Sequence, residues 1–188
     1  VPAEGPTAVG AQAGEPPHAT PQTAEQPKPL EELKTPGKHT VEAVSAVLKV
    51  PPAKLIKTLL YDVGEDHVAV LVRGDHTVNE AKLARAVQSP QLKLSSAQTI
   101  ERLSGGPMGF TGPVKLRGVR LLVDHAVSHM VNGVTGANRA EHHLINVNPG
   151  RDFQPTMVAD LRVVTEQDSC PRCHTRLSFV RAIEVGHV

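Results

Sequence analysis

The chain has 188 residues, a length that fits one compact domain with spare residues or two small domains. Lys and Arg number 20 against 19 Asp and Glu, so no overall charge draws the chain toward nucleic acid. Hydrophobic residues make up 39% and aromatic residues only 2%, which predicts an aliphatic core. No apolar run approaches the roughly 18 residues of a membrane span. With two cysteines and no disulfide framework, we expect a cytoplasmic protein without a membrane contact.

Residues 1–36 are rich in Pro, Ala, Gly, Glu, Gln and Thr, and their few apolar residues show no period. Such a segment cannot bury enough apolar surface to offset the entropy of ordering it. We therefore expect a flexible linker or tail, with a short helix around residues 29–33. Residues 37–188 are predicted to form the folded domain.

Helices and strands alternate through the rest of the chain. Thr40 is a suitable N-cap for a first helix, which Pro51 and Pro52 end. Residues 59–61 and 67–73 are predicted to form an antiparallel hairpin around a turn at 64–66. The next predicted elements are a helix over 80–87, a strand over 92–94, a helix capped by Ser96 and a strand over 119–123. A helix over 127–131 and a turn-rich segment over 133–138 follow. Strands are then predicted over 144–147 and 158–164, with a final pair over 177–180 and 181–185. This order indicates an α+β domain.

Residues 104–113 form the most glycine-rich segment of the folded part. The segment holds four glycines and two prolines: Gly105, Gly106, Pro107, Gly109, Gly112 and Pro113. Glycine permits positive φ and a close approach of a ligand to main-chain amides. A phosphate loop is excluded because no Gly-Lys-Ser/Thr follows.

Polar side chains concentrate in residues 136–162, where two adjacent histidines, several asparagines and an Asn-Pro-Gly turn lie between short apolar runs. Loops on a rigid scaffold often carry function, so this stretch is predicted to contribute to a site. On pattern alone, Lys57 is a solvated edge-strand lysine, while Asp124 and His143 at strand ends are capping or hydrogen-bonded residues. None of the three is diagnostic by itself.

Metal and nucleophile motifs are incomplete. Cys170 and Cys173 flank a Pro-Arg pair and precede His174, but a closed structural zinc site needs four ligands and no second Cys-x-x-Cys is present. His125 and His129 have helical i, i+4 spacing without the neighbouring Glu of a metalloprotease helix. Zinc is therefore the weaker alternative at both places. No Gly-x-Ser-x-Gly elbow is present, so hydrolysis would use water positioned by polar groups and backbone amides.

Eight motifs in order carry a family resemblance. They are Leu55-Ile-Lys-Thr-Leu, Val70-Leu-Val-Arg-Gly-Asp-His, Asn79-Glu-Ala-Lys-Leu, Gly109-Phe-Thr-Gly-Pro113, Gly136-Ala-Asn138, Asn148-Pro-Gly-Arg-Asp152, Ala159-Asp-Leu-Arg162 and Ala182-Ile-Glu-Val-Gly-His187. The series resembles the insertion domain of bacterial prolyl-tRNA synthetases, which is related to free-standing aminoacyl-tRNA deacylases. The resemblance covers residues 33–187. Pro149 stands where the family often has a large aromatic residue, and Ala182 replaces the usual glycine.

The resemblance implies a mixed, largely antiparallel sheet or partial barrel with surrounding helices. It also implies hydrolysis of alanine from mischarged Ala-tRNA(Pro), because a synthetic site for proline rejects a smaller amino acid by only about 1–3 kcal/mol per methylene. Lys57, Asp124 and His143 match the family's catalytic pocket, although His142 next to His143 leaves open which histidine faces it. Gly105, Gly106, Gly109, Gly112 and Pro113 match the loop that approaches the aminoacyl carbonyl.

Several partners follow from the same resemblance. They are the alanine-bearing 3′ end of tRNA(Pro) and the rest of the synthetase, with a homodimeric parent. The resemblance implies no cofactor for editing, and ATP with magnesium for the parent's synthetic core, whose motifs this chain lacks. A non-catalytic tRNA-binding or structural insertion is the alternative.

Overall fold

The computed structural model describes residues 25–170 and 172–179. Four helices and eight strands within these residues confirm the predicted α+β class. The strands are β1 (Glu31–Lys34), β2 (Ile56–Val63), β3 (Asp66–Arg73), β4 (Leu92–Leu94), β5 (Arg120–Asp124), β6 (Gly133–Gly136), β7 (His142–Val147) and β8 (Met157–Ala159). The helices are α1 (Val41–Leu48), α2 (Glu80–Val87), α3 (Ala97–Ser104) and α4 (His125–Ser128), with a 3₁₀ turn at Pro52–Lys54.

The strands form two open sheets. The larger has the order β4-β2-β3-β5-β8 and the smaller β1-β7-β6. Four of the six pairings are antiparallel, whereas β3–β5 and β5–β8 are parallel. The predicted mixed, largely antiparallel character is therefore confirmed, and the sheets do not close into a barrel.

The β2–β3 hairpin supplies the centre of the core. β3 reads Asp-His-Val-Ala-Val-Leu-Val-Arg, and five consecutive residues, Val68 to Val72, are 0% exposed. Ala69 and Leu71 pack on one face with Ile56 and Leu60, while the three valines pack on the other face beside Leu83 of α2. An apolar run without alternation fits a strand covered on both faces.

Each of the three longer helices begins at a side-chain cap, and the sequence predicts two of these caps, Thr40 and Ser96. Thr40, Asn79 and Ser96 accept hydrogen bonds from the third residue after each of them. α3 ends at Gly105, whose φ of +81° is the left-handed C-cap conformation that glycine adopts without strain. The same residue opens the glycine-rich loop, so the helix end sets where that loop starts.

The structure corrects the predicted beginning of the domain. Residues 31–34 are strand β1 rather than part of a flexible linker or a helix, and β1 pairs with β7 from Glu31–Ile145 to Lys34–His142. Asn132 secures the preceding residues by accepting from the Lys28 amide at 2.8 Å and donating to the Gln26 carbonyl at 2.9 Å. These contacts are long-range, and composition alone cannot reveal them. Residues 1–24 lie outside the described part.

Three later predictions also need correction. Residues 133–136 form strand β6 rather than a turn, and β8 ends at Ala159 instead of extending to residue 164. Residues 177–179 are not in a strand, and the rest of the predicted final pair, 180–185, lies outside the described residues. No helix within the described ranges has both the length and the hydropathy that crossing a bilayer requires.

The Ala159-Asp-Leu-Arg162 motif is anchored to α2. The buried Lys82 ammonium donates to Asp160 at 2.6 Å and to the Arg162 carbonyl at 3.0 Å. Leu161 between them is fully buried. The segment that follows β8 is therefore attached to α2 through Lys82.

Replacing Lys82 by Met should lower the free energy of unfolding by about 2 kcal/mol, because Asp160 and the Arg162 carbonyl lose their donor. Asp160 is 30% exposed at its side chain, so water offsets part of the cost. Urea unfolding at neutral pH measures the change. Arg85→Met, at an exposed position of the same helix, is the control, and equal stability of the two variants would contradict the anchoring role.

Candidate functional site

The junction between the two sheets brings distant segments together at the start of β2. Leu55 pairs in parallel with Val134, and the Thr135 hydroxyl donates to the Ile56 carbonyl at 3.1 Å. Gly136, two residues beyond Val134 on β6, pairs directly with His143 of β7, and Lys57 lies two residues beyond Leu55 on β2.

His143 is held firmly at this junction by its neighbours. It is 5% exposed, and its Nδ1 shares a 2.7 Å hydrogen bond with the hydroxyl of Thr35, which is fully buried. Its ring lies 5.5 Å from that of Phe110, tilted by 57°. Burial, with a smaller contribution from His142, lowers the pKa of His143 to about 4. The imidazole is therefore neutral at physiological pH.

The choice between the two adjacent histidines follows from the strand. His142 turns the other way and its Nδ1 hydrogen-bonds the Ala140 carbonyl at 2.7 Å. His143 is the member that contacts Phe110 of the glycine-rich loop. The geometry thus places His143 in the junction.

The glycine-rich loop packs directly on the backbone of β6. A Cβ on Gly136 would lie 2.2 Å from the Phe110 oxygen, and one on Gly112 would lie 1.9 Å from the Gly136 oxygen. Asn138 fastens the contact, since its side chain accepts from the Gly112 amide and donates to the Val114 carbonyl, both at 2.8 Å. Gly112 and Gly136 are thus required for chain packing, and this contact sets the loop beside His143.

Several polar groups of the loop have no protein partner among the described residues. The hydroxyl of Thr111 is buried without a hydrogen bond. The amides of Met108, Gly109 and Thr111 donate to no protein acceptor within the described part of the chain, whereas the Gly106 and Gly112 amides are occupied by Ser104 and Asn138. Gly109, with φ of +93°, gives the loop its turn at this point. The loop therefore offers backbone donors to a carbonyl oxygen.

Lys57 is half-buried, and opposing effects act on the pKa of its amine. Burial lowers its pKa, while the negative charges of Asp75 and Glu42 raise it, leaving a net decrease. Asp75 is itself held by two hydrogen bonds from Arg73, of 2.7 and 3.0 Å. Gly74 fixes this turn against β2, because its amide donates to the Leu55 carbonyl at 2.7 Å. The amine is thus placed near a fixed carboxylate without being neutralised by it.

Asp124 lies on the same face as Lys57, two strands away, because Lys57 pairs with Val72 and β3 runs parallel to β5. It is 2% exposed. One carboxylate oxygen accepts from the Ala126 amide and caps α4, and the other accepts from the Leu161 amide, each at 3.0 Å. The structure therefore does not bring Asp124 into contact with Lys57 or His143, and its geometry is that of a structural carboxylate.

The two cysteines lie in a separate turn. The Cys170 amide donates to Thr175 O, and the His174 amide to Cys170 O, both at 2.8 Å. Within residues 25–170 and 172–179, no three His, Cys, Asp or Glu side chains are grouped as a metal site would require. The Thr175 hydroxyl and amide lower the pKa of Cys173. A concavity of about 430 Å³ beside this turn, lined by Glu166, Gln167, Arg176, Leu177, Ser178 and Phe179, contains none of the predicted site residues.

Sequence reasoning missed Thr35, Phe110 and Asn138 as members of the site. Thr35 lies inside the predicted linker, and the residues around it give no indication that its hydroxyl is buried. Phe110 was hidden between the loop's glycines. Asn138 lies in the Gly136-Ala-Asn138 motif, and asparagine tolerates the φ of +55° that it adopts there better than most residues do.

Comparisons with known proteins are consistent with this geometry. Residues 35–153 match the family model described as an aminoacyl-tRNA editing domain. The chain is 46% identical over 164 residues to a proline–tRNA ligase of Moorella thermoacetica and 47% identical over 173 residues to one of Geobacter sulfurreducens. These alignments cover 87% and 90% of this chain but only 29% and 30% of the ligases.

A solved structure with the same fold comes from a candidate trans-editing enzyme for prolyl-tRNA synthetase. Its TM-score is 0.61 at 17% identity, with 71% of this chain and 86% of that one covered. The family resemblance predicted from the eight motifs is therefore confirmed, and the chain corresponds to an insertion-sized segment of the ligases.

Substituting Gly136 by Ala should displace the glycine-rich loop, because the new methyl group would overlap the Phe110 and Thr111 carbonyls. We expect the free energy of unfolding to fall by about 3 kcal/mol and the amide resonances of residues 109–113 to shift. Gly133→Ala on the same strand is the matched control, since its Cβ meets only the Met130 and Ile56 side chains. Unshifted loop resonances in Gly136→Ala would contradict the packing constraint.

Substituting Asp75 by Asn should lower the pKa of Lys57 further, because the charge that opposes its desolvation is removed. Lys57 then loses its proton at a lower pH than in the unaltered chain. The titration can be followed by NMR of the lysine side chain, with Glu65→Gln at the β2–β3 turn as the control. An unchanged or raised pKa in Asp75→Asn would show that Asp75 does not act on the amine.

Proposed function

This chain belongs to the aminoacyl-tRNA editing domain family, and from that premise we propose that it hydrolyses the aminoacyl ester of mischarged Ala-tRNA(Pro). The observation that carries the proposal is the paired Gly136 and His143, against which Phe110 of a loop with unpartnered amides is packed. The parent protein is proposed to be a cytoplasmic, homodimeric proline–tRNA ligase, whose synthetic core uses ATP and magnesium. This segment uses no cofactor in the proposed reaction.

Hydrolysis of an ester requires stabilisation of the negative charge that develops on the carbonyl oxygen. The amides of Gly109 and Thr111 flank Phe110, whose carbonyl packs against Gly136, and they are the donors we assign to that oxygen. A water molecule is the nucleophile, because no activated side-chain nucleophile lies in the junction. The Lys57 ammonium supports the nearby charge of the ester or of the terminal nucleotide.

His143 is proposed to contribute to size discrimination. Its neutral ring is fixed by Thr35 and Phe110, so this wall cannot move aside without breaking a buried hydrogen bond. A rigid wall admits the small alanine side chain and excludes the larger proline ring. Discrimination by exclusion is what a second sieve needs when the first site binds the smaller substrate too well.

Asp124 is proposed to act at a distance from the substrate. Both of its oxygens hold backbone amides, which fixes α4 and the segment after β8 against β5. It is thus a positioning residue, in contrast to the catalytic role implied by the family resemblance. Gly105, Gly106 and Pro113 likewise support the loop, and Gly109 and Thr111 are the members that approach the substrate.

Deacylation of labelled Ala-tRNA(Pro) and Pro-tRNA(Pro) by the purified chain tests the proposal. We expect release of alanine well above the buffer rate and little release of proline. Lys57→Ala should lower the rate on Ala-tRNA(Pro) by about 100-fold, the scale reported for losing one preorganised polar group. His143→Ala should raise the relative rate on Pro-tRNA(Pro).

Lys93→Ala, an exposed lysine on the neighbouring strand β4, serves as the control and should leave both rates unchanged. Alanine release at the buffer rate by the unaltered chain would reject hydrolysis and favour the alternative of a non-catalytic tRNA-binding or structural insertion.

A further inference from the structure

Positive charge is unevenly distributed along this nearly neutral chain. Residues 102–123 contain no Asp or Glu but include Arg102, Lys115, Arg117 and Arg120. The glycine-rich loop lies inside this interval. The segment that approaches the proposed substrate is therefore also the segment with the strongest local positive charge.

Three of these cations are exposed and lie within six residues of one another, and we call them the basic track: Lys115, Arg117 and Arg120. Elsewhere in the described residues, exposed or half-exposed cations such as Arg73, Arg139 and Arg151 pair with carboxylates. No carboxylate within the described part lies at salt-bridge distance from the basic track. Charges that the fold leaves unpaired are available to an anionic partner.

The basic track begins at the proposed site. Asn138, which holds the Gly112 amide, also holds the Val114 carbonyl, so Lys115 is the first residue beyond the anchored loop. Its φ of +64° turns the chain at this point. The start of the track is thus fixed by the same side chain that fixes the loop.

The other end of the track lies away from the site. Arg120 opens β5 and pairs with Val68, whereas Asp124 closes β5 level with Val72 and Lys57. Four residues of strand separate these two levels by about 13 Å. The acidic residues Glu65 and Asp66 at the neighbouring hairpin turn limit the track beyond Arg120. The track therefore runs from the residue after the anchored loop to the start of β5 and ends there.

We propose that the basic track binds the phosphate backbone of the tRNA strand that leads to the aminoacylated 3′ end. The inference rests on the proposed function, which places the terminal aminoacyl ester under the glycine-rich loop. The RNA strand that leads away from that point needs a series of cations along its path, and the basic track leads from the anchored loop to Arg120. The track has one cation for each of about three phosphates, so the contact is short. Because it is made to phosphates, it is independent of sequence and depends on salt.

The double variant Lys115→Gln/Arg117→Gln separates this contact from the chemistry when two substrates are compared. One is Ala-tRNA(Pro), and the other is 3′-alanyl-adenosine, which carries the ester but no phosphate. We expect kcat/KM for Ala-tRNA(Pro) to fall about tenfold at low salt, and the slope of log(kcat/KM) against log[salt] to become shallower by about 0.7 per lost contact. The rate on 3′-alanyl-adenosine should not change.

Arg85→Gln/Arg176→Gln is the matched control, because it removes two exposed arginines outside the track. Unchanged kinetics of the track variant on Ala-tRNA(Pro) would overturn the inference. An equal loss on both substrates would also overturn it, since the effect would then arise in the pocket.

Binding of an uncharged acceptor-stem hairpin with a single-stranded 3′ end, measured by fluorescence anisotropy, tests the track without hydrolysis. The track variant should bind about tenfold more weakly than the unaltered chain at low salt. If the unaltered chain hydrolyses neither ester but the variant shows this loss, the proposed reaction fails and the track stands. Equal affinity of variant and unaltered chain overturns the track whatever the hydrolysis result.

Discussion

The close backbone contact between Gly136 and the glycine-rich loop is the constraint on which the site depends. It requires that neither Gly136 of β6 nor Gly112 of the loop carries a side chain, and the Asn138 side chain stabilises it by accepting from the Gly112 amide. Because the contact is made by backbone atoms, its geometry is more tightly fixed than one between flexible side chains. The loop amides, the Phe110 ring and the start of the basic track all take their positions from it.

The second feature is the junction of two small sheets through β2 and β6. β2 belongs to the larger sheet and carries Lys57, while β6 connects the smaller sheet and His143 to it. Neither sheet alone contains both residues. The hydroxyl of Thr35 adds a third segment, so the position of His143 depends on the residue after strand β1, more than a hundred residues earlier in the chain. A site assembled in this way is rigid because each part is also a part of the core.

Most charged side chains of the site make local contacts, and the net charge of the chain does not attract nucleic acid. Lys57 keeps a carboxylate near without a salt bridge, and Asp75 is held in place by Arg73. Asp124 has both oxygens occupied by amides, which makes it a brace for α4 and the segment after β8. Three exposed cations without a salt bridge to any described residue, Lys115, Arg117 and Arg120, follow the glycine-rich loop in a span of six residues. A net charge of +1 is therefore compatible with a defined path for a polyanion.

The sequence by itself determined the α+β class, the capped helices, the β2–β3 hairpin and the family, because these follow from local periodicity, capping residues and motifs in fixed order. It also pointed to Lys57, His143 and the glycines. Only the tertiary structure decided that residues 31–34 are a strand, that 133–136 form β6, that Thr35 bonds His143 and that Asn138 holds the glycine-rich loop. It also placed both Asp124 oxygens on backbone amides, and His143 rather than His142 against Phe110. The physical reason is that these features are hydrogen bonds and backbone contacts between residues far apart in the chain, which leave no periodic mark on the local sequence.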